Sequence, residues 1–288
     1  MKKLNIILIF FAVLALFCWT AAIASDQTGT QPPASKAQGG GDLRAAVQNP
    51  VGAMYSLPLK FTTDFGAPDG SAYFFNINPV IPVTVGDWNL INRALIPAVV
   101  SVDGFIQGTP GIPEGFPSKD RKTGLGDINY SLFFSPAKSS GFIWGLGPSI
   151  NLPTASKDQL GSGKWSAGPT GVILVQPKWG TYGGLVRQLW SFAGDDDRAS
   201  VSQMLIEPFI NYNLEGGWYL ISDMILTANW NASSSQRWTV PLGGGVGKLF
   251  KIGNQPINSR LEAYYNVVTP DAGPDWQLVF TFQFLFPK

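Results

Sequence analysis

Residues 276–286 read WQLVFTFQFLF. Trp276, Leu278, Phe280, Phe282, Phe284 and Phe286 fall on one side of an extended chain, and Gln277, Thr281 and Gln283 on the other, because side chains alternate with a period of two along a strand. A helix would scatter these residues around its circumference, so the segment reads as a strand with one wholly apolar face. The alternation recurs upstream. Leu261, Ala263, Tyr265 and Val267 oppose Arg260, Glu262, Tyr264 and Asn266, while Met204, Ile206, Pro208, Ile210 and Tyr212 oppose Gln203, Glu207, Asn211 and Asn213. An apolar face of this kind either lines a large water-soluble barrel or meets lipid. The opposite face discriminates: it is glutamine, asparagine, threonine and glycine with isolated ions, which suits a lumen better than a surface in water.

Composition agrees. Charged residues make up 14% of the chain and hydrophobic residues 45%, against about 25% charged in ordinary soluble domains. Beyond residue 24 no apolar run reaches the roughly 18 residues that a membrane-crossing helix needs. The expectation is an all-β fold, a transmembrane antiparallel β-barrel. Export is expected too: Lys2 and Lys3, an apolar run over residues 4–19, and Ala22 and Ala24 form a cleavable signal peptide over residues 1–24. The destination is the outer membrane of a Gram-negative bacterium. Cys18 leaves with the signal, and bulky Phe17 stands where a lipoprotein would carry a small residue, so thiol chemistry and disulfides are not expected. The chain has no histidine, which excludes Ser-His-Asp and Cys-His catalysis and histidine-rich zinc sites. The formal charge of +1 becomes about −1 once the two signal lysines are gone, which argues against nucleic acid.

Residues 25–42 are polar and rich in Pro, Gly and Ser, a flexible tail. Residues 43–49 (LRAAVQN) predict one or two helical turns before Pro50. Residues 55–288 then break into segments of about 10–16 residues, too long for sandwich strands and suited to tilted membrane strands. Gly86-Asp87, Pro177-Lys178 and Glu215-Gly216 are tight reversals, and 135–140 and 252–255 are slightly longer. They alternate with the longer connections 103–123, 153–164, 194–198, 231–235 and 270–274. Counting along this alternation gives eleven clear strands from Ala72 to Phe286. Both chain ends lie on one side only if the number is even, so residues 55–65 (YSLPLKFTTDF) supply the twelfth, with ten or fourteen strands as the alternatives. Trp88, Trp144, Trp165, Trp179, Trp218, Trp230, Trp238 and Trp276 sit near strand ends, as two interfacial girdles require.

Face assignment gives the pore-lining candidates Asn76, Asn78, Asn89, Arg93, Asp127, Asn129, Arg187, Glu207, Asp223, Arg260 and Glu262. Ions of both signs inside a barrel pair across it or line a water path. Apolar lumen positions, Ile221, Ile225 and Val279, point instead to a greasy conduit. Asp195-Asp196-Asp197 lacks the spaced oxygens of an EF-hand and reads as a solvated loop. Gly243-Gly244-Gly245 with Gly247 and Lys248 lacks the order of a phosphate loop. Glycines inside a strand mark a bent wall or something approaching closely in the lumen. Neither a catalytic set, a metal nor a cofactor is expected.

Asn49-Pro50-Val51 with SLPLKF and DFG, NINPVIPV with DWNLINRALIPAV, GLGDINYSLFFSP, and GLGPSINLPTA are similar to segments of the outer-membrane channel family labelled "MetA-pathway of phenol degradation". The resemblance spans residues 49–288 and is most specific at Asn78-Pro79-Val80-Ile81-Pro82 and Gly124-Leu125-Gly126-Asp127. It implies a monomeric twelve-strand channel with an N-terminal segment, here residues 43–56, inside the barrel. It also implies passive uptake of small hydrophobic or aromatic molecules, with a sideways route through the wall. Pro79, Pro82 and Pro97 are then the candidates for a lateral opening, because proline cannot donate to a strand ladder. Implied partners are outer-membrane lipid, the small substrate and the barrel assembly machinery. The chain departs from the usual assembly signal in that Pro287 and Lys288 follow Phe286. The alternatives are a non-specific small-solute or ion pore, or a structural or enzymatic outer-membrane barrel.

Overall fold

A computed structural model describes residues 40–103, 120–138 and 141–287. The expected signal peptide, the tail up to residue 39 and most of the 103–123 connection lie outside the described residues. The chain divides into Met1–Gly40 and Gly41–Lys288, and the wall belongs to the second unit. A helix, α1 (Gly40–Val47), precedes β1 (Tyr55–Ala67), β2 (Gly70–Ile77), β3 (Val80–Val85), β4 (Trp88–Asp103), β5 (Lys122–Gly124), β6 (Ile128–Pro136), β7 (Phe142–Leu152) and β8 (Lys164–Val175). There follow β9 (Gly180–Gly194), β10 (Ser202–Asn213), β11 (Trp218–Asp223), β12 (Leu226–Asn229), β13 (Trp238–Ile252), β14 (Gln255–Val268) and β15 (Trp276–Phe286).

All pairings are antiparallel. β1 pairs with β15 from Tyr55 opposite Phe286 to Phe65 opposite Trp276, which closes the sheet on itself and leaves no edge. Three wall strands are each made of two segments: β2 and β3 lie end to end between β1 and β4, β5 and β6 both pair with β4, and β11 and β12 lie between β10 and β13. The fifteen described segments therefore build the twelve strands that the turn spacing requires. Gly86 (φ 58°) and Gly253 (φ 59°) open two-residue turns whose second residues keep negative φ, the type II′ geometry that matches strand twist.

The outer surface is inverted with respect to water. Leu146, Ile173, Val186, Leu220 and Leu242 are exposed in its middle, Leu242 to 61%. Aromatic side chains band both ends. Trp88 meets Trp144 edge-on at 6.0 Å and Trp179 stacks on Tyr182 and Tyr212 at the short-turn end; Trp230 meets Trp238 at 5.7 Å and Tyr265 meets Trp276 at 4.9 Å at the other. A continuous apolar band between aromatic belts matches a bilayer as solvent.

Inside, two apolar clusters form. Near the short turns, Val51 packs against Ile91, Phe133, Val172, Leu174 and Leu185, from β4, β6, β8 and β9. Toward the other mouth, Leu160 is fully buried against Ala72, Phe74, Val100 and Val102 of β2 and β4. Leu160 belongs to the β7–β8 connection, so that loop folds in onto the inner face of the wall.

The first cluster depends on α1. Arg44 donates to the carbonyls of Leu214 (2.8 Å) and Trp218, and Gln176 donates to the Ala45 carbonyl (2.7 Å), which ties the helix to two short turns. Gln48 donates to Asn213 (2.9 Å) and accepts from Thr181 (2.9 Å). The Asn49-Pro50-Val51-Gly52 sequence then reverses the chain: Gly52 N–H donates to the Asn49 carbonyl at 3.1 Å, with Pro50 at the position where a β-turn favours its fixed φ. The side chain of Asn49 accepts from Val51 N–H at 3.0 Å, and the turn presents Val51 to the cluster.

Candidate functional site

Above Val51 the lumen holds a cavity of about 470 Å³, and beside the helix segment a smaller one of about 170 Å³. Lys60, Asn78, Arg93, Leu185 and Glu207 border both, and so form a waist between them. The larger volume falls in the range of small-molecule pockets. Phe74, Leu95, Phe133, Leu189, Leu205 and Ile225 give it much of its lining.

Most of the residues assigned to the lumen line this space. Asn76, Asn78, Arg93, Asp127, Asn129, Arg187 and Glu207 border the large cavity, and Asp223 and Arg260 the small one. Asn89 and Glu262 line neither. Asn89 is 6% exposed and accepts from Thr84 at 2.8 Å; Glu262, 2% exposed, lies behind Arg260. Both face inward as the alternation requires, but neighbouring side chains cover them. Asp127 is a tether: it accepts from Ala155 N–H (3.1 Å), Ser162 N–H (2.7 Å) and Ser162 Oγ (2.8 Å), holding the infolded β7–β8 loop to the wall. Arg198 holds the same loop through the carbonyls of Asp158 and Gly161. Arg187 donates to Asn129 at 2.7 Å.

The glycine-rich strand β13 explains the polar network on the opposite wall. A side chain at Gly247 would place its Cβ 2.1 Å from the Tyr219 ring, and one at Gly245 would meet the Leu261 carbonyl at 1.9 Å. The bare strand lets Tyr219 of β11 reach Asn258 of β14 (2.6 Å), and lets Tyr264 of β14 accept from Asp223 N–H of β11 (2.9 Å). Tyr264 also donates to Glu262 at 2.6 Å, and Arg260 pairs with Asp223 at 3.2 Å and with Glu262 at 3.4 Å. Two tyrosines thus bridge strands that are not neighbours, and a buried charge triad joins them. Asp195-Asp196-Asp197 is an exposed loop, and no group of three or more metal-ligating side chains is present among the described residues.

The wall is uneven. At Asn78-Pro79 the ladder lapses over two positions, but Asn78 N–H donates to Pro58 (2.9 Å) and Ala94 N–H to Pro79 (3.2 Å), which bridges it. Pro97 lies beside a bulge in the β2–β4 register, and its carbonyl accepts from Gly126 N–H at 3.0 Å. Pro82 interrupts nothing: it pairs in register with Ile91. Counting from the Gly86-Asp87 turn, this is a non-hydrogen-bonded pair, so the proline nitrogen points to the side where β1 has not yet begun.

The longest lapse among the described residues is elsewhere. Between Ile221 opposite Gly245 and Thr227 opposite Thr239, residues 222–226 of the β11–β12 strand make no ladder pairs with residues 240–244 of β13. A proline stands on each flank of this stretch, Pro208 in β10 and Pro241 in β13. Leu214 N–H to Trp218 O (2.8 Å) sets the phase against β10, and Met224 N–H donates to the Pro208 carbonyl at 3.3 Å. Pro208 cannot return that bond. On the other side the register places Pro241 opposite Ile225, again where an N–H is needed. Asp223 N–H turns to Tyr264, and Ser222 Oγ donates to the Gly243 carbonyl at 2.7 Å in its place. Ile225, at the break, borders the large cavity.

No protein-family model and no curated protein sequence matches the chain. Among solved structures it is similar to an outer-membrane channel from Pseudomonas putida F1, at 11% identity and a TM-score of 0.61, over 81% of this chain and 96% of that one. It is more loosely similar to the P. putida toluene transporter TodX, with 10% identity, a TM-score of 0.43, and 82% and 90% of the two chains covered. Outer membrane phospholipase A from Escherichia coli matches at 14% identity and a TM-score of 0.39, over 84% of this chain and 98% of that one. The first likeness shows a shared outer-membrane barrel fold; the other two are too loose to argue from.

Proposed function

We propose that this chain is a passive outer-membrane channel that takes up small molecules with an apolar or aromatic body and releases them sideways into the bilayer at the β11–β12 break. The observation that carries the reading is the cavity of about 470 Å³, largely apolar in its lining, that reaches Ile225 where the ladder fails. Axial routes are narrowed at both ends, by α1 and Val51 at the short turns and by the Leu160 loop at the other mouth. A solute that enters the cavity therefore meets the wall break before the far end. The short turns face the periplasm in this reading, as in barrels of this class. No covalent chemistry is assigned: with no histidine the chain lacks the base of an ordinary lipase.

Pro79 and Pro97 mark irregularities that backbone bonds bridge, whereas among the described residues no backbone bond joins residues 222–226 to residues 240–244, so the exit is assigned there, between Ile225 and Pro241. Liposome swelling with sugars of graded size separates this channel from a general pore. The expected result is swelling no faster than protein-free vesicles for disaccharides and larger. Free passage of large sugars would show a water-filled pore and sink the proposal.

A further inference from the structure

We propose that the waist binds a single carboxylate, so that the favoured substrates are small carboxylic acids with a benzene-sized apolar body rather than neutral hydrocarbons. The inference rests on the channel reading and deepens it. Lys60 of β1 and Asn76 of β2 are directly opposite in the ladder, and both border the large cavity. Directly opposed side chains on one face have Cβ atoms about 4.5–5.5 Å apart. Asn78 follows Asn76 on the same face, and Arg93 of β4 lies across the next rung, opposite Val80.

Two independent observations point to a ligand. First, among the described residues neither Lys60 nor Arg93 has a hydrogen-bond or ion-pair partner; Arg93 only overlies the Phe133 ring at 5.9 Å. Glu262 holds Arg260 and accepts from Tyr264, while Asp223 holds Arg260 and also lies beside Glu207, within charge range of Lys60. At the waist itself Lys60 and Arg93, with Arg187 beside them, face two carboxylates, Glu207 and Asp223, of which Asp223 already holds Arg260. A cation withdrawn from water requires an anion or strong acceptors. Second, the side-chain oxygens of Asn76 and Asn78 are buried and have no hydrogen-bond partner. With the oxygens turned inward, the amide nitrogens, neither buried nor bonded among the described residues, are open to the cavity as donors to a carboxylate. On the far side of this polar rung from Val51, Phe74 and Leu95 offer an apolar seat for the rest of the ligand.

The test is calorimetric titration of the full chain, purified in a non-ionic detergent at pH 7.5, with benzoate, benzyl alcohol and benzylamine. Benzoate is expected to bind about tenfold or more tightly than benzyl alcohol, as a charge-assisted contact allows, and benzylamine not at all. Lys60→Met with Arg93→Met should abolish the preference, while Arg93→Lys retains it. Glu207→Gln removes one of the two competing carboxylates and should tighten benzoate, a gain that a misfolded barrel could not give. The wild-type preference should also shrink as salt is raised. Equal binding of benzoate and benzyl alcohol, or a preference that survives the double substitution in a folded barrel, overturns the proposal and leaves the channel reading intact. Binding of none of the three probes overturns the proposal; if the channel also fails to admit a hydrocarbon into cells, the channel reading falls with it.

Discussion

Arg260→Met is expected to lower the stability of the barrel by about 3–5 kcal/mol, the cost of breaking a buried ion pair from one side. The arginine is 20% exposed, and its partners Asp223 and Glu262 are 15% and 2% exposed. Its removal leaves two carboxylates facing each other across Gly245, with only the Tyr264 hydroxyl for Glu262. Urea unfolding in lipid, followed by tryptophan fluorescence, measures the loss. A second substitution, Glu262→Gln, should recover part of it, because the orphaned charge is the damage. Arg121→Met is the control: that arginine pairs with Asp103 at 3.0 Å but is 36% exposed, and an exposed pair contributes less than about 1 kcal/mol. Equal losses at Arg260 and Arg121 would contradict the assignment of a buried triad over the glycine strand.

The second large effect belongs to the wall. In the paired variant Pro208→Ala with Pro241→Ala, both strands beside Met224 and Ile225 regain an N–H. Each restored bond contributes about 0.5–1.5 kcal/mol, while a freer unfolded chain takes back about 0.4–1 kcal/mol per proline. The net change in stability is therefore small, and local exchange is the sensitive observable. Amide hydrogen exchange over residues 222–227 is expected to slow by at least about fivefold, the change that one added hydrogen bond of average strength produces. Unchanged exchange in the folded variant would mean that the prolines do not cause the break.

The parts of this structure that depend on period and spacing were legible in the sequence. The aromatic face of residues 276–286 gave β15, and alternating short and long connections led to twelve strands, because a membrane barrel must satisfy both rules at once. The eight girdle tryptophans and the helical turn before Pro50 follow from equally local chemistry. Register was not legible, and the site depends on it. Pro208 and Pro82 look alike in sequence, yet one faces a strand that needs its N–H and the other an edge that does not. Tyr264 reaches Asp223 across a strand only because glycines clear the way, a contact between residues 41 apart. Lys60 carried an available signal, since a lysine between Leu59 and Phe61 must face inward. Leu160 carried one too, as the lone large apolar side chain in a polar loop.

An apolar solute is expected to leave the cavity through the wall. That exit is tested most directly by the initial uptake of labelled ethylbenzene by intact cells with a lipopolysaccharide outer leaflet, expressing the wild type, the paired proline variant or neither. Labelled sucrose measures any water-filled path. Wild-type channel should raise ethylbenzene uptake several-fold and leave sucrose unchanged, and the proline variant should fall back to the empty cells. Uptake through a folded proline variant at the wild-type rate, or sucrose entering alongside the hydrocarbon, would contradict the account.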